Sequence, residues 1–217
     1  MHIAEGVLAP SILCGGAILT AVGTILGGRK LKHDQGILAG ILAAVFFIAS
    51  LVHIPIGVTS AHLLGTGIVG IFLGLASFPA LLIALFLQAL FFQYGGFTML
   101  GVNCATMAGA AWLAGLLFHA IYPRMHTPRG FFFAGFLAGF AGVCIAALLT
   151  ACALAFSEEG FVAAAQTLVL VHIPVMLAEG VLTGFIVSFI AKVRPNLLRA
   201  SYNLTETYGH NASHSDT

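Results

Sequence analysis

Seven long apolar segments limit what this chain can fold into. They lie at about 8–27, 36–52, 60–76, 78–93, 101–122, 130–156 and 163–191. Only 7% of the residues are charged, against about 25% in an ordinary globular domain. Apolar segments of roughly 20 residues can cross a bilayer, and there they must satisfy their own backbone polar groups as helices. The sequence therefore predicts an all-α integral membrane protein with about seven transmembrane helices.

The third segment, 60–76, differs from the other six. It is short and rich in glycine, a residue that weakens a helix. We expect a broken or tilted element there.

The basic residues give the predicted orientation. They are Arg29, Lys30, Lys32, Arg124, Arg129, Lys192, Arg194 and Arg199. With seven spans and the N-terminus outside, all of them fall on the cytoplasmic side, as the positive-inside rule requires. Residues 1–200 are then expected to form one transmembrane domain. Residues 201–217 are polar and predict a flexible cytoplasmic tail.

The first two residues, Met1 and His2, form a possible metal chelator. The sequence shows no basic n-region of a signal peptide, so we expect the mature chain to keep its N-terminus. The Met1 amine, the His2 backbone nitrogen and the His2 Nδ1 can then bind one ion in a plane and leave a fourth corner open. Tetragonal nitrogen sites suit nickel(II) or copper(II), whereas zinc prefers a tetrahedral site.

His62 is the first candidate for the fourth ligand. It lies near the predicted outer end of the third segment, and small neighbours such as Gly65 would let backbone approach closely. Ionisable side chains within membrane segments are costly and mark function. His53, in the loop before Pro55, is the competing candidate.

Four further residues could support the site or replace a ligand. Asn103 could hydrogen-bond the N-terminal segment, and Glu5 with Gly6 could form the bend that turns Met1 inward. His172 and Glu179 lie in the seventh segment, where Glu179 would be an intramembrane carboxylate that orients ligands. A purely structural polar contact is the alternative for these residues.

Four motifs resemble a known family. They are "MHIAEGVL" at 1–8, "TSAHLLGTGIVGIFLG" at 59–74, "GGFTMLGVNCATM" at 95–107 and "HIPVMLAEGVLTG" at 172–184. Together they resemble the substrate-specific membrane subunit, or S component, of energy-coupling factor transporters for cobalt and nickel, the CbiM/NikM type. The resemblance covers nearly the whole chain. It implies seven transmembrane helices and a square-planar site formed by Met1, His2 and His62.

The resemblance also implies function and partners. The expected function is uptake of nickel(II) or cobalt(II) in a bacterial or archaeal cell membrane, with the metal as transported substrate and no catalytic cofactor. The implied partners are a transmembrane coupling subunit, cytoplasmic ATPase subunits and a small accessory membrane subunit. Tyr94 stands where cobalt-type relatives often carry histidine, which leaves the choice between cobalt and nickel open. Of the two metals, nickel is slightly preferred.

The residues themselves agree with a subunit that a partner drives. The sequence contains no Walker-type phosphate-binding motif, so we do not expect this chain to hydrolyse nucleotide. It is not expected to be an enzyme or to bind nucleic acid. The alternatives are an intramembrane metal-dependent hydrolase and a membrane metal sensor that does not transport.

Overall fold

A computed structural model describes residues 3–31, 33–51, 53–56, 59–198 and 201, with backbone alone at 33–34, 53–56, 59–61 and 159. Seven α-helices and one β-hairpin make up the described chain. They are α1 (Pro10–Gly28), α2 (His33–Leu51), β1 (His53–Ile56), β2 (Thr59–His62), α3 (Thr66–Leu73), α4 (Ser77–Phe92), α5 (Leu100–Ile121), α6 (Pro128–Ala155) and α7 (Val162–Val193). Met1 and His2 lie outside the described residues, as does the predicted tail from residue 202 onwards.

Five helical stretches are long and apolar enough to cross a membrane. They are Pro10–Gly28, Thr66–Phe92, Leu100–Arg124, Pro128–Ala155 and Val162–Val193, and Gln35–Leu51 is a shorter apolar helix. Large apolar side chains such as Ile18, Phe133 and Phe185 face outward from them. Because water would penalise such a surface, the prediction of an all-α integral membrane protein is confirmed. The placement of the N-terminus outside and the C-terminus in the cytoplasm stays a prediction.

The third predicted span, 60–76, needs correction. Its first residues belong to β2, which pairs antiparallel with β1 so that His53 lies opposite His62. The β-branched residues Ile54, Ile56 and Thr59 suit strands better than helices. The helix itself begins only at Thr66, and its eight residues span about 12 Å, too little to cross the bilayer.

Gly74 separates α3 from α4. Its φ of +51° lies in the region that side-chain-bearing residues rarely adopt. A short 3-10 turn at Gly74–Ala76 then leads into α4. The expectation of a broken element in this glycine-rich stretch is confirmed.

The start of α3 packs against the middle of α6. A Cβ atom added to Gly142 would lie 2.6 Å from Thr66 Oγ1, and one added to Gly67 would lie 2.6 Å from Gly139 Cα. Gly139 and Gly142 are near the midpoint of α6. The end of the bundle where α5 begins is the predicted outer end. The β-hairpin and residues 63–65 therefore lead from that end to the middle of the bundle.

Helices α6 and α7 meet along a glycine seam. A Cβ atom on Gly139 would lie 2.5 Å from the Glu179 carbonyl oxygen, and one on Gly135 would lie 2.9 Å from that of Thr183. In a bilayer, helices associate through such close packing, since apolar burial gives little driving force there. Ala134 and Ala138, on the same helix α6, are fully buried within the chain.

Ser201 ends the described part of the chain. It is helical and buried, and its hydroxyl donates to the Leu198 carbonyl at 2.8 Å. The first residue of the predicted tail therefore packs on the bundle.

Candidate metal centre

The N-terminal segment enters the bundle at the start of α5. Ile3 is 0% exposed, and its backbone N–H donates to Asn103 Oδ1 at 3.1 Å. Asn103 itself is buried in the first turn of α5. This is the hydrogen bond that the sequence led us to expect, and it fixes the residue that follows His2 in the protein interior.

Glu5 and Gly6 form a turn that is tied to the loop before α5. The Glu5 Oε1 atom accepts hydrogen bonds from the backbone N–H and the hydroxyl of Thr98, each at 3.2 Å. Gly6 has a φ of +79°. The side chain of Glu5 lies over Gly96, where a Cβ atom would collide with it. The predicted bend is therefore present, and Glu5 anchors it.

His62 lies at the end of β2, inside the bundle. It is 4% exposed, and its ring meets that of Phe46 edge to face, with centroids 6.4 Å apart. Its Nδ1 lies 2.9 Å from the Leu63 carbonyl oxygen. A carbonyl can only accept a hydrogen bond, so Nδ1 carries a proton, and in the neutral form of the ring Nε2 then carries the lone pair. This is the tautomer that binds metal through Nε2.

The structure describes the other two candidate histidines, His53 and His172, to different extents. The backbone of His53 lies opposite His62 across the hairpin, and its side chain lies outside the described atoms. His172 is fully buried in α7, and its Nδ1 donates to the Leu168 carbonyl at 2.7 Å. Its Nε2 has no hydrogen-bond partner among the described residues. The Nε2 lone pair of His172 therefore faces the interior of the bundle without a hydrogen-bond partner among the described residues.

Glu179 is buried near the middle of α7, as the sequence predicted. It is 0% exposed. Its Oε1 accepts hydrogen bonds from the backbone N–H groups of Leu64, at 2.5 Å, and Gly65, at 2.8 Å. Its Oε2 has no hydrogen-bond partner within the described part of the chain. The carboxylate thus joins α7 to the segment that carries His62.

The described residues do not supply a metal site on their own. Within the stretches that the structure covers, no group of three or more His, Cys, Asp or Glu residues is placed to hold an ion. Met1 and His2 lie outside those stretches. The structure therefore brings His62, Asn103 and Glu179 into the interior and leaves the complete ligand set as a prediction.

Sequence reasoning missed two polar contacts in the bundle. His119, in the fifth predicted span, is buried and its Nε2 lies 3.1 Å from the Ile71 carbonyl oxygen. The Gln88 amide donates to the Ser50 hydroxyl between α4 and α2. The only signal for either contact was a polar residue inside an apolar segment, which identifies the residue but not its partner.

The fold and these contacts define a class of protein. It is a multi-pass membrane protein whose interior receives its own N-terminal segment and also contains a buried histidine and a buried carboxylate. Intramembrane ionisable groups of this kind typically belong to substrate or ion pathways. The class is thus a membrane transport component with an internal polar site.

Comparison with known proteins gives the family. Residues 2–197 match the family described as the cobalt uptake substrate-specific transmembrane region, CbiM. A Haemophilus influenzae protein named "Putative metal transport protein" is 35% identical over 206 residues, covering 94% of this chain and 100% of that protein. The fused nickel transport protein NikMN of Rhodobacter capsulatus is 31% identical, covering 91% of this chain and 64% of that protein.

A solved structure is similar as well. The crystal structure of a transition metal transporter superimposes with a TM-score of 0.72 at 26% identity, covering 94% of this chain and 99% of that one. The chain belongs to the cobalt uptake substrate-specific transmembrane family. It is a component of cobalt or nickel uptake of the CbiM/NikM type in a prokaryotic cell membrane, and the family is one of transporter components rather than enzymes.

Proposed function

We propose that this chain captures nickel(II) or cobalt(II), with nickel slightly preferred, as the substrate-binding subunit of an energy-coupling factor ABC transporter. The family description assigns it the substrate-specific region of an uptake system, which leaves energy supply to other subunits. Those partners are a transmembrane coupling subunit and cytoplasmic ATPases, with a small accessory membrane subunit. The metal is the transported substrate.

The proposed ligands are the Met1 amine, the His2 backbone nitrogen, the His2 Nδ1 and the His62 Nε2. One observation carries this choice: Ile3 is buried and its N–H is held by Asn103. His2 is joined directly to Ile3, and each residue spans at most about 3.6 Å, so the proposed chelate is tethered close to this anchor. His62 supports the choice because its Nδ1 proton is already engaged by Leu63.

The chemistry of capture follows from the ligands. A hydrated ion enters from outside and sheds water as the amine and the amide nitrogen lose their protons. His62 then closes the plane. Four nitrogen ligands in a plane favour nickel(II) and copper(II) over zinc. The intrinsic affinity follows the Irving–Williams order, which places copper above nickel. Metal supply and the fit of the ion to the site therefore decide which metal is transported.

The test is to block the chain end. Acetylation of the Met1 amine removes that nitrogen as a ligand, so nickel binding by the purified full chain should fall below detection in calorimetry. The same chain without the acetyl group is the matched control and should bind nickel. Helix content and melting temperature without metal should be the same in both. Nickel binding by the N-terminally acetylated chain at the parent affinity would refute the chelate.

A further inference from the structure

One peptide group connects His62 to Glu179. The carbonyl oxygen of Leu63 accepts the Nδ1 proton of His62 at 2.9 Å. The N–H of the same peptide group belongs to Leu64 and donates to Glu179 Oε1 at 2.5 Å. Imidazole, peptide and carboxylate therefore form one continuous chain of hydrogen bonds, from β2 across to α7.

The carboxylate satisfies backbone groups that would otherwise be costly. Residues 63–65 lie outside any helix or strand before α3 begins, so their N–H groups have no helical acceptor, and Leu64 is fully buried. A buried N–H without a partner costs about 1–3 kcal/mol, and no bilayer water can replace the acceptor. Glu179 Oε1 takes two of these groups, from Leu64 and Gly65, beside the positive end of the α3 dipole.

Glu179 thereby ties the position of residues 62–65 within the bundle to α7. Glu179 is buried at the centre of a 32-residue helix that the glycine seam locks against α6. The segment it holds leads directly into α3, whose first turn packs on α6. At its other end, α3 is held by His119 through the Ile71 carbonyl.

We propose that Glu179 is a positioning residue for the metal site, acting on His62 through the Leu63–Leu64 peptide group. This rests on the proposed role of His62 as a ligand. The carboxylate fixes the position of the peptide and polarises it, since hydrogen bonds in a chain strengthen one another. A more strongly accepting Leu63 carbonyl orients the imidazole and makes its Nε2 a better donor to metal, as carboxylates do for metal-bound histidines.

The first measurement is nickel affinity of the purified full chain by calorimetry. Glu179→Ala removes both acceptor contacts, and we expect roughly 10–100-fold weaker binding, the range for partners that orient a ligand. Glu179→Gln keeps a neutral acceptor oxygen and should show a smaller loss. Thr183→Val is the matched control, because Thr183 lies one turn along the same buried face and its hydroxyl has no partner among the described residues. It should bind nickel like the parent.

A double-mutant cycle separates positioning from general structure. If Glu179 acts through His62, Glu179→Ala should cause no further loss of nickel affinity in a chain that already carries His62→Ala. An equal loss in both backgrounds, or no loss in the parent background, would overturn the proposal. If the Glu179→Ala chain cannot be purified, the same double-mutant cycle is measured with Glu179→Gln, and the same outcomes support or overturn the proposal.

The two proposals fail in different ways. A His62→Ala chain that binds nickel like the parent would overturn the proposed ligand set. A His62→Ala chain that binds weakly, together with additive effects of Glu179→Ala, would leave the ligand set standing and remove the role of Glu179.

Discussion

The backbone N–H of Ile3 and the side-chain oxygen of Asn103 lie 3.1 Å apart, although one hundred residues separate them in the chain. Both residues are buried. Asn103 therefore holds the N-terminal segment to α5 as that segment enters the bundle. For a site that uses the chain end as a ligand, this contact determines where the ligand lies.

Replacement of Asn103 by alanine should weaken metal binding. The Ile3 N–H would lose its acceptor at a cost of about 1–3 kcal/mol, and the segment that carries the proposed chelate would lose its anchor. We expect nickel affinity, measured by calorimetry on the full chain, to fall about tenfold, which corresponds to about 1.4 kcal/mol.

The controls for this variant lie on the same helix. Asn103→Asp keeps an acceptor oxygen and should retain more affinity than the alanine variant. Thr106→Val removes a buried hydroxyl that donates to the Asn103 backbone carbonyl without touching the side chain, so binding should be unchanged. An Asn103→Ala chain with parent affinity would show that the anchor is irrelevant to the site.

His62 and His53 should differ strongly when each is replaced by alanine. His62 is buried with its Nδ1 proton engaged, so its loss should remove the fourth nitrogen and lower nickel affinity by about two orders of magnitude or more. His53→Ala is the matched variant on the opposing strand and should cost far less. The absorption spectrum of the nickel complex should change only for His62→Ala, and the reverse ranking would assign the ligand to His53.

The glycine seam should control stability rather than metal choice. In Gly139→Ala the new Cβ would lie within 2.6 Å of Thr183 Oγ1 and closer still to the Glu179 carbonyl, so α6 and α7 must separate. Overpacking of this kind costs about 1–3 kcal/mol, and we expect a lower melting temperature in detergent.

A second glycine supplies the control for the seam. Gly40 lies on α2, and a Cβ atom added to it would meet no other described atom within 4 Å. Gly40→Ala should therefore be neutral or slightly stabilising, because alanine favours helix. Equal melting temperatures for the two variants would contradict the close packing of α6 on α7.

The sequence was sufficient for features that depend on local pattern. Apolar length predicted the helices, and apart from the third segment their bounds agree to within a few residues. Where a boundary moved, a local signal explains it: α6 begins at Pro128 because Thr127 Oγ1 accepts the Gly130 N–H at 3.1 Å, a cap that the apolar pattern alone does not show.

Features that depend on distant contacts were harder to predict. Glu179 could be recognised as an intramembrane carboxylate, but its partners Leu64 and Gly65 are more than one hundred residues away and use backbone groups, which no residue type marks. The same holds for His119 and the Ile71 carbonyl. The hairpin at 53–62 was missed because hydrophobicity alone does not separate short strands from short helices.

Acidification should release the metal. A free α-amine and a backbone amide both carry protons at neutral pH, so nickel binding by Met1 and His2 must displace about two protons, and affinity must fall as pH decreases. Calorimetry of the full chain at one pH in buffers of different ionisation enthalpy counts those protons directly. His62→Ala should release nearly the same number, since neutral imidazole contributes few, whereas a chain with an acetylated Met1 amine should show no such release. A count near zero for the parent chain would mean that the ion is held by neutral ligands and carboxylates and not by the chain end.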